Sequence, residues 1–88
     1  MLQVVSQSFK GLSGTVVLQG DTAEEVTSAE ARNQVISLAG QNGLSRPGMS
    51  GTPSPYPVDA AGNCDAPVLR AEVPVAGYRC DYSLAGMP

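Results

Sequence analysis

Residues 20–43 read GDTAEEVTSAEARNQVISLAGQNG, and this stretch decides the fold because several independent helix signals agree in it. Asp21 and Thr22 are residue types that begin helices, and glutamates that favour the positive end of a helix follow them. Gly40 is of the type that most often ends a helix. The stretch therefore predicts the only helix of the chain, at about residues 22–40.

The start of this helix has two candidates. Thr22 with Glu25 and Thr27 with Glu30 each match the S/T-x-x-E capping box, in which a hydroxyl and a carboxylate bond to backbone N–H groups. The apolar stripe at helical spacing consists of Ala31, Val35, Leu38 and Ala39. This stripe favours the later start, with a helix over about residues 28–39 and a separate turn before it.

The second half of the stretch has a rival interpretation. Val35 and Ile36 are adjacent β-branched residues, which favour strands. A strand over residues 33–39 therefore stays open beside the helix.

Two apolar segments precede the helix. Residues 2–9 and 15–19 are rich in β-branched side chains, and the glycine-bounded connection KGLSG lies between them. An antiparallel hairpin is the simplest interpretation. Alternation in residues 2–9 slips once near Val4 and Val5, which predicts a bulge or a strand with apolar residues on both faces.

Residues 44–63 form a Gly/Pro-rich segment, with four prolines between Pro47 and Pro57. Because each proline pushes the preceding residue toward extended geometry, we expect an extended arm. It is either a flexible linker or an arm that docks on a neighbouring subunit. The residues predicted to bind that partner are Met49, Pro53, Pro55, Tyr56 and Pro57.

Residues 64–88 predict a second hairpin. Apolar residues alternate with polar ones from Leu69 to Val75 and again from Tyr78 to Leu84, on either side of Ala76 and Gly77. Together the three segments, 1–43, 44–63 and 64–88, predict one small β-rich α+β domain with two antiparallel hairpins, one helix and an extended arm.

Cys64 and Cys80 are the only cysteines, and their pairing is open. A disulfide would stabilise so small a chain. The predicted hairpin places them far apart, however, and favours Cys80 as a small buried residue without a bond to Cys64.

Composition excludes several classes of function. The chain of 88 residues has no histidine, so neither cysteine nor serine has the usual base that would activate it, and two cysteines are too few for a structural zinc site. Asp59, Asn63 and Asp65 supply oxygen ligands but do not match the spacing of a calcium loop. We therefore predict no catalytic residue, no cofactor and no metal.

Charge and hydropathy indicate the class of partner. The net charge is −3 and the five Lys and Arg residues form no stripe, which argues against nucleic acid. The sequence shows neither a signal peptide nor an apolar run that would span a bilayer, so we expect a protein of the cytoplasm or of a virion.

The function expected from these features is structural. A thin core and a proline-rich arm suit a non-enzymatic subunit of a larger assembly, which binds a larger protein or forms a homo-oligomeric shell. By analogy of style, small virion proteins of tailed bacteriophages, such as capsid-decorating, cement or minor tail and neck components, fit this description. The alternative is a small secreted binding or inhibitor domain held by a Cys64–Cys80 disulfide.

Overall fold

The computed structural model describes residues 1–49 and 53–86. These residues form a small α+β domain with a five-stranded antiparallel sheet and a helical layer, as the sequence predicts. The elements in chain order are β1 (Gln3–Lys10), β2 (Ser13–Gly20), α1 (Ala23–Val26), α2 (Ala29–Gln41), β3 (Gly48–Met49), β4 (Tyr56–Val58), α3 (Ala66–Leu69) and β5 (Gly77–Ala85).

The first predicted hairpin is confirmed. Strands β1 and β2 pair antiparallel from Gln3 opposite Gln19 to Lys10 opposite Ser13. Gly11 opens the two-residue turn with a φ of 61°, which glycine adopts without strain. The register shifts between Val4 and Ser6, so the predicted bulge is present.

The helical segment is also confirmed, and it uses two starts. Thr22 Oγ1 accepts from the N–H of Glu25 at 3.2 Å and begins α1. Ser28 Oγ accepts from the N–H of Ala31 at 3.2 Å and begins α2. The N-cap of α2 is thus Ser28 and not the predicted Thr27, and the alternative strand over residues 33–39 is wrong.

The core lies between the helices and one face of the sheet. Every second residue of β2 and of β5 points to this face, and residues that lie opposite each other on the two strands share the same side of the sheet. The predicted stripe of α2 covers them, with Leu38 half-buried at its margin. The buried residues of this cluster are Val16, Leu18, Val26, Ala31, Val35, Ala39, Leu44, Cys80, Tyr82 and Leu84.

The predicted second hairpin does not form. Residues Ala66–Leu69 are helical, and β5 pairs with β2 instead of with residues 69–75. Pro67 lies in the first turn of α3, where its missing N–H is not needed. Ala71 then takes a φ of 59°, and the N–H of Glu72 donates to the carbonyl of Pro67 at 2.8 Å, which completes a Schellman end.

The Gly/Pro-rich arm lies along its own sheet. Strand β3 pairs with the end of β5 at Gly48 opposite Ala85, and β4 pairs with its start at Val58 opposite Gly77. The arm is therefore partly β structure, whereas the sequence predicted an extended arm without strands. Residues 50–52 of the arm and residues 87 and 88 lie outside the described part of the chain.

The order of strands is β1, β2, β5, with β3 and β4 beyond β5. Val58 and Val68 are buried at the β4 side, apart from the main cluster. Within the described ranges, no helix is long and apolar enough to cross a membrane.

Candidate interaction surface

Strand β1 ends the sheet on one side, and its outer side, residues Gln3–Lys10, is here named the β1 edge. No strand of residues 1–49 or 53–86 pairs with this side. Seven of its eight residues are exposed, with only Phe9 half-buried. The outward N–H and C=O groups of the β1 edge are therefore open to another strand.

The middle of β1 lies beyond the helical layer. Helices α1 and α2 pack over β2, and α1 also packs over β5. Val4 and Val5 are consequently 38% and 40% exposed, although both are β-branched apolar residues. The bulge at Val5 interrupts the regular alternation of faces at this point of β1.

The start of β1 carries an excess of negative charge. The Met1 ammonium donates to Asp21 Oδ2 at 2.8 Å and to Glu25 Oε1 at 3.1 Å. The hydrogen bond to Asp21, followed by that to Glu25, raises the pKa of this ammonium. Glu25 Oε1 also accepts from the N–H of Asp21 at 2.8 Å, so the two carboxylates are fixed beside the strand.

The other end of β1 carries an aromatic ring and a positive charge. Phe9 lies directly over Gly14 on β2, where a Cβ atom would overlap the ring. A side chain at position 14 would therefore displace the ring, which covers the gap that glycine leaves. Lys10 is the only charged residue of β1 and forms no salt bridge among the described residues.

The face of the sheet opposite the helices is open and polar. A shallow depression there is lined by Ser8, Lys10, Thr15 and Ser83, among others. Small hydroxyl side chains on the solvated face of an antiparallel sheet are ordinary, and the depression brings no acid–base pair together.

The predicted partner-binding residues lie beside β5 of the same chain. Met49 packs against the main core, and Pro53 and Pro57 are half-buried. Pro55 is exposed. Their role in binding a partner stays a prediction.

Tyr56 is half-buried and is used to hold the arm. Its hydroxyl donates to Asp81 Oδ1 at 2.7 Å, which ties β4 to β5 on the open face. Burial, and then this hydrogen bond, raise the pKa of Tyr56 to about 12. The hydroxyl is thus engaged within the chain.

Both cysteines are free thiols in the structure. Cys64 is exposed and Cys80 is buried. Burial raises the pKa of the Cys80 thiol, which lowers its reactivity.

Asp59 closes a tight turn. Its Oδ1 accepts from the N–H groups of Ala61 and Asn63 at 2.9 and 2.8 Å. Among the described residues, no group of three or more Cys, Asp or Glu is placed to hold a metal ion.

Tyr82 joins the sheet to the helical layer. The residue is buried, and its hydroxyl donates to the carbonyl of Val26 at 2.5 Å. Burial, followed by the nearby Cys80 thiol, raises the pKa of Tyr82 to about 12. The buried phenol of this chain is therefore a structural group.

Comparisons with protein-family models, curated proteins and solved structures give no match.

The β1 edge is the surface that the sequence prediction did not single out. The prediction assigned partner contacts to the proline-rich arm. The slip in alternation at Val4 and Val5 is the sequence signal that falls on this surface, because it marks the bulge in β1.

Proposed function

We propose that this chain is a non-enzymatic structural subunit that joins a larger assembly through the β1 edge. The best candidate is a small virion protein of a tailed bacteriophage, as a capsid-decorating, cement or minor tail or neck component. The observation that carries the proposal is an eight-residue edge strand with exposed residues along almost its whole length. Natural monomers usually cover or shorten such an edge, so an assembly partner is its simplest explanation.

The side chains that could do acid–base chemistry support a structural role. The Tyr82 and Tyr56 hydroxyls hold elements together, and Asp59 holds a turn. The sequence contains no histidine. A net charge of −3 makes a protein partner more suitable than nucleic acid, and the partner is a larger protein or a homo-oligomeric shell.

The secreted, disulfide-held alternative depends on a Cys64–Cys80 bond, and both residues are free thiols in the structure. Thiol titration of the purified native protein separates the two proposals. We expect one thiol, Cys64, to react at once and Cys80 to react only on unfolding. A chain with no reactive thiol even when unfolded would favour the alternative.

The proposal is tested on purified particles of the phage whose genome encodes the chain. We expect quantitative mass spectrometry to find the chain in the purified particles, in a fixed number of copies per particle. Val4→Glu should reduce this incorporation, since it places a charge on the β1 edge. Ile36→Glu on α2 is the matched control, because Val4 and Ile36 are both β-branched and both 38% exposed.

If the chain were found only among unassembled proteins and not in the particles, the virion role would be contradicted. Equal incorporation of the two variants would contradict the role of the β1 edge in assembly.

A further inference from the structure

We infer that the β1 edge pairs with the β1 edge of a second copy of this chain. The two strands run antiparallel about a two-fold axis at Gln7 and join two sheets into one. This inference deepens the proposed function and rests on it for its biological setting. It names the partner as a second copy and gives the register of pairing.

The centre of β1 is complementary to itself. Gln7 is opposite Val16 and points to the helix side, whereas Ser6 and Ser8 are opposite Val17 and Thr15 and point to the open side. A two-fold axis at Gln7 therefore places the amide of Gln7 beside that of the second copy, where each can donate and accept. The same axis places Ser6 opposite Ser8 of the second copy, on one common face.

The outer parts of the strand also match in this register. Val4 is opposite Leu18 and points to the helix side, and so does Phe9, which is opposite Gly14. Because the bulge adds one residue at Val5, Val4 and Val5 together face Phe9 of the second copy. The exposed valines then lie beside Phe9, whose ring covers Gly14 of its own sheet, so that an apolar strip continues from one sheet to the other.

Charge selects the antiparallel direction. Lys10 lies at one end of β1, and Asp21 and Glu25 lie beside Met1 at the other end. Antiparallel pairing brings Lys10 of each copy toward the acidic end of the other copy. Parallel pairing would place Lys10 beside Lys10 of the second copy, and the carboxylates of one copy beside those of the other. The repulsion between these like charges disfavours the parallel direction.

The pairing is expected to be weak in isolation. One strand pair covers less surface than the roughly 1,200 Å² that stable specific interfaces bury at the least. Self-association should therefore depend on concentration, and an assembly would favour it by holding copies close together.

The test is sedimentation equilibrium of the whole chain from micromolar to millimolar concentration. We expect a monomer–dimer equilibrium. Gln7→Glu and Gln7→Lys should each weaken the dimer at least tenfold, because like charges meet at the axis. An equimolar mixture of the two variants should restore the dimer as a heterodimer.

Gln34→Glu is the matched control, since Gln34 is also exposed but lies on α2. This variant should dimerise like the unmodified chain. Circular dichroism should show all variants folded, because residue 7 is exposed and contributes nothing to the core.

A chain that stays monomeric at every concentration would overturn the inference, as would a dimer that is unaffected by Gln7→Glu. A monomeric chain that is nevertheless present in virions would leave the proposed function standing and make another protein the occupant of the β1 edge. A β1-dependent dimer absent from virions would remove the proposed function but not the pairing.

Discussion

The two edges of the sheet differ in how far other strands of the chain cover them. The edge at β5 is occupied by β3 and β4, which are two and three residues long, within a segment that contains four prolines. The β1 edge is eight residues long and has no proline. Proline and short strands discourage further pairing, so the arm covers both ends of β5 at one edge, here called the closed edge, and the other edge is left open.

This difference gives the proline-rich arm a structural role within its own chain. From the sequence, the arm was the surface expected to reach a partner. In the structure, Tyr56 and Val58 bind the arm to β5 of the same chain. The segment with the least regular sequence thus extends the sheet, and the eight-residue strand β1 remains available.

The largest expected effect comes from one substitution made at both edges. Val58→Ala removes buried methyl groups at the closed edge and should lower the free energy of unfolding by about 2 kcal/mol. Val4→Ala at the open edge should change it by less than about 0.5 kcal/mol, since Val4 is already exposed. Denaturant unfolding of both variants at low concentration measures the difference. Equal losses would mean that the two edges contribute alike to stability.

A change in β5, the strand between the edges, should reduce stability without affecting association. Tyr82→Phe removes the hydrogen bond to the Val26 carbonyl and should lower the free energy of unfolding by about 1–2 kcal/mol. Sedimentation should remain that of the unmodified chain. A loss of self-association in this variant would mean that the β1 edge depends on the core beneath it.

Tyr82 also makes the free energy of unfolding fall at high pH. Its pKa in the folded protein is about 12, above the ordinary value of 10.0, so the unfolded chain releases this proton first as pH rises. The part of the stability that comes from this shift of Tyr82 is fully present below pH 10.0 and is lost as pH rises toward about 12. Tyr82→Phe should make this fall shallower, although Tyr56 and Cys80 contribute in the same direction. An unchanged slope in the variant would exclude Tyr82 as a cause.

The smallest expected effect is a gain at the closed edge. Ala71 has a φ of 59°, a conformation that costs an alanine about 1 kcal/mol relative to glycine. Ala71→Gly should therefore raise the free energy of unfolding by up to about 1 kcal/mol. Ala60→Gly, in the exposed turn after Asp59, is the control and should give no gain, because Ala60 does not have a positive φ. Equal effects of the two glycines would show that Ala71 is not strained.

Local signals in the sequence were sufficient for the first half of the chain. The glycine turn, the slip at Val4 and Val5 and the hydroxyl caps each act within a few residues, so the hairpin and the helical segment could be predicted. The exact cap could not, because Thr27 and Ser28 are equally suitable types. The structure uses Ser28 and turns the Thr27 hydroxyl to the Ala23 carbonyl.

The second half depends on partners that are distant in sequence. Residues 69–75 alternate like a strand, but Pro67 begins a helical turn before them. β5 instead pairs with β2, where Val16 and Leu18 face Tyr82 and Cys80. Nothing in a local pattern distinguishes this partner from residues 69–75.

The slip at Val4 and Val5 marks β1 as unusual in the sequence, but it does not show that the strand lies at an open edge, because that depends on where the helices and β5 lie. Val4 and Val17 are both valines in strands of the same hairpin. Only the pairing of β5 with β2 makes the strand of Val17 central and leaves the strand of Val4 at the edge of the sheet.

Amide hydrogen exchange of β1 tests the central claim most directly, since it observes the backbone groups of the open edge themselves. At low concentration, alternate β1 amides that do not donate to β2 should exchange fast, and the β5 amides that donate to β2 should exchange slowly. At high concentration the outward β1 amides should become protected, and Gln7→Glu should abolish that protection. Outward β1 amides whose exchange is the same at every concentration would contradict the account.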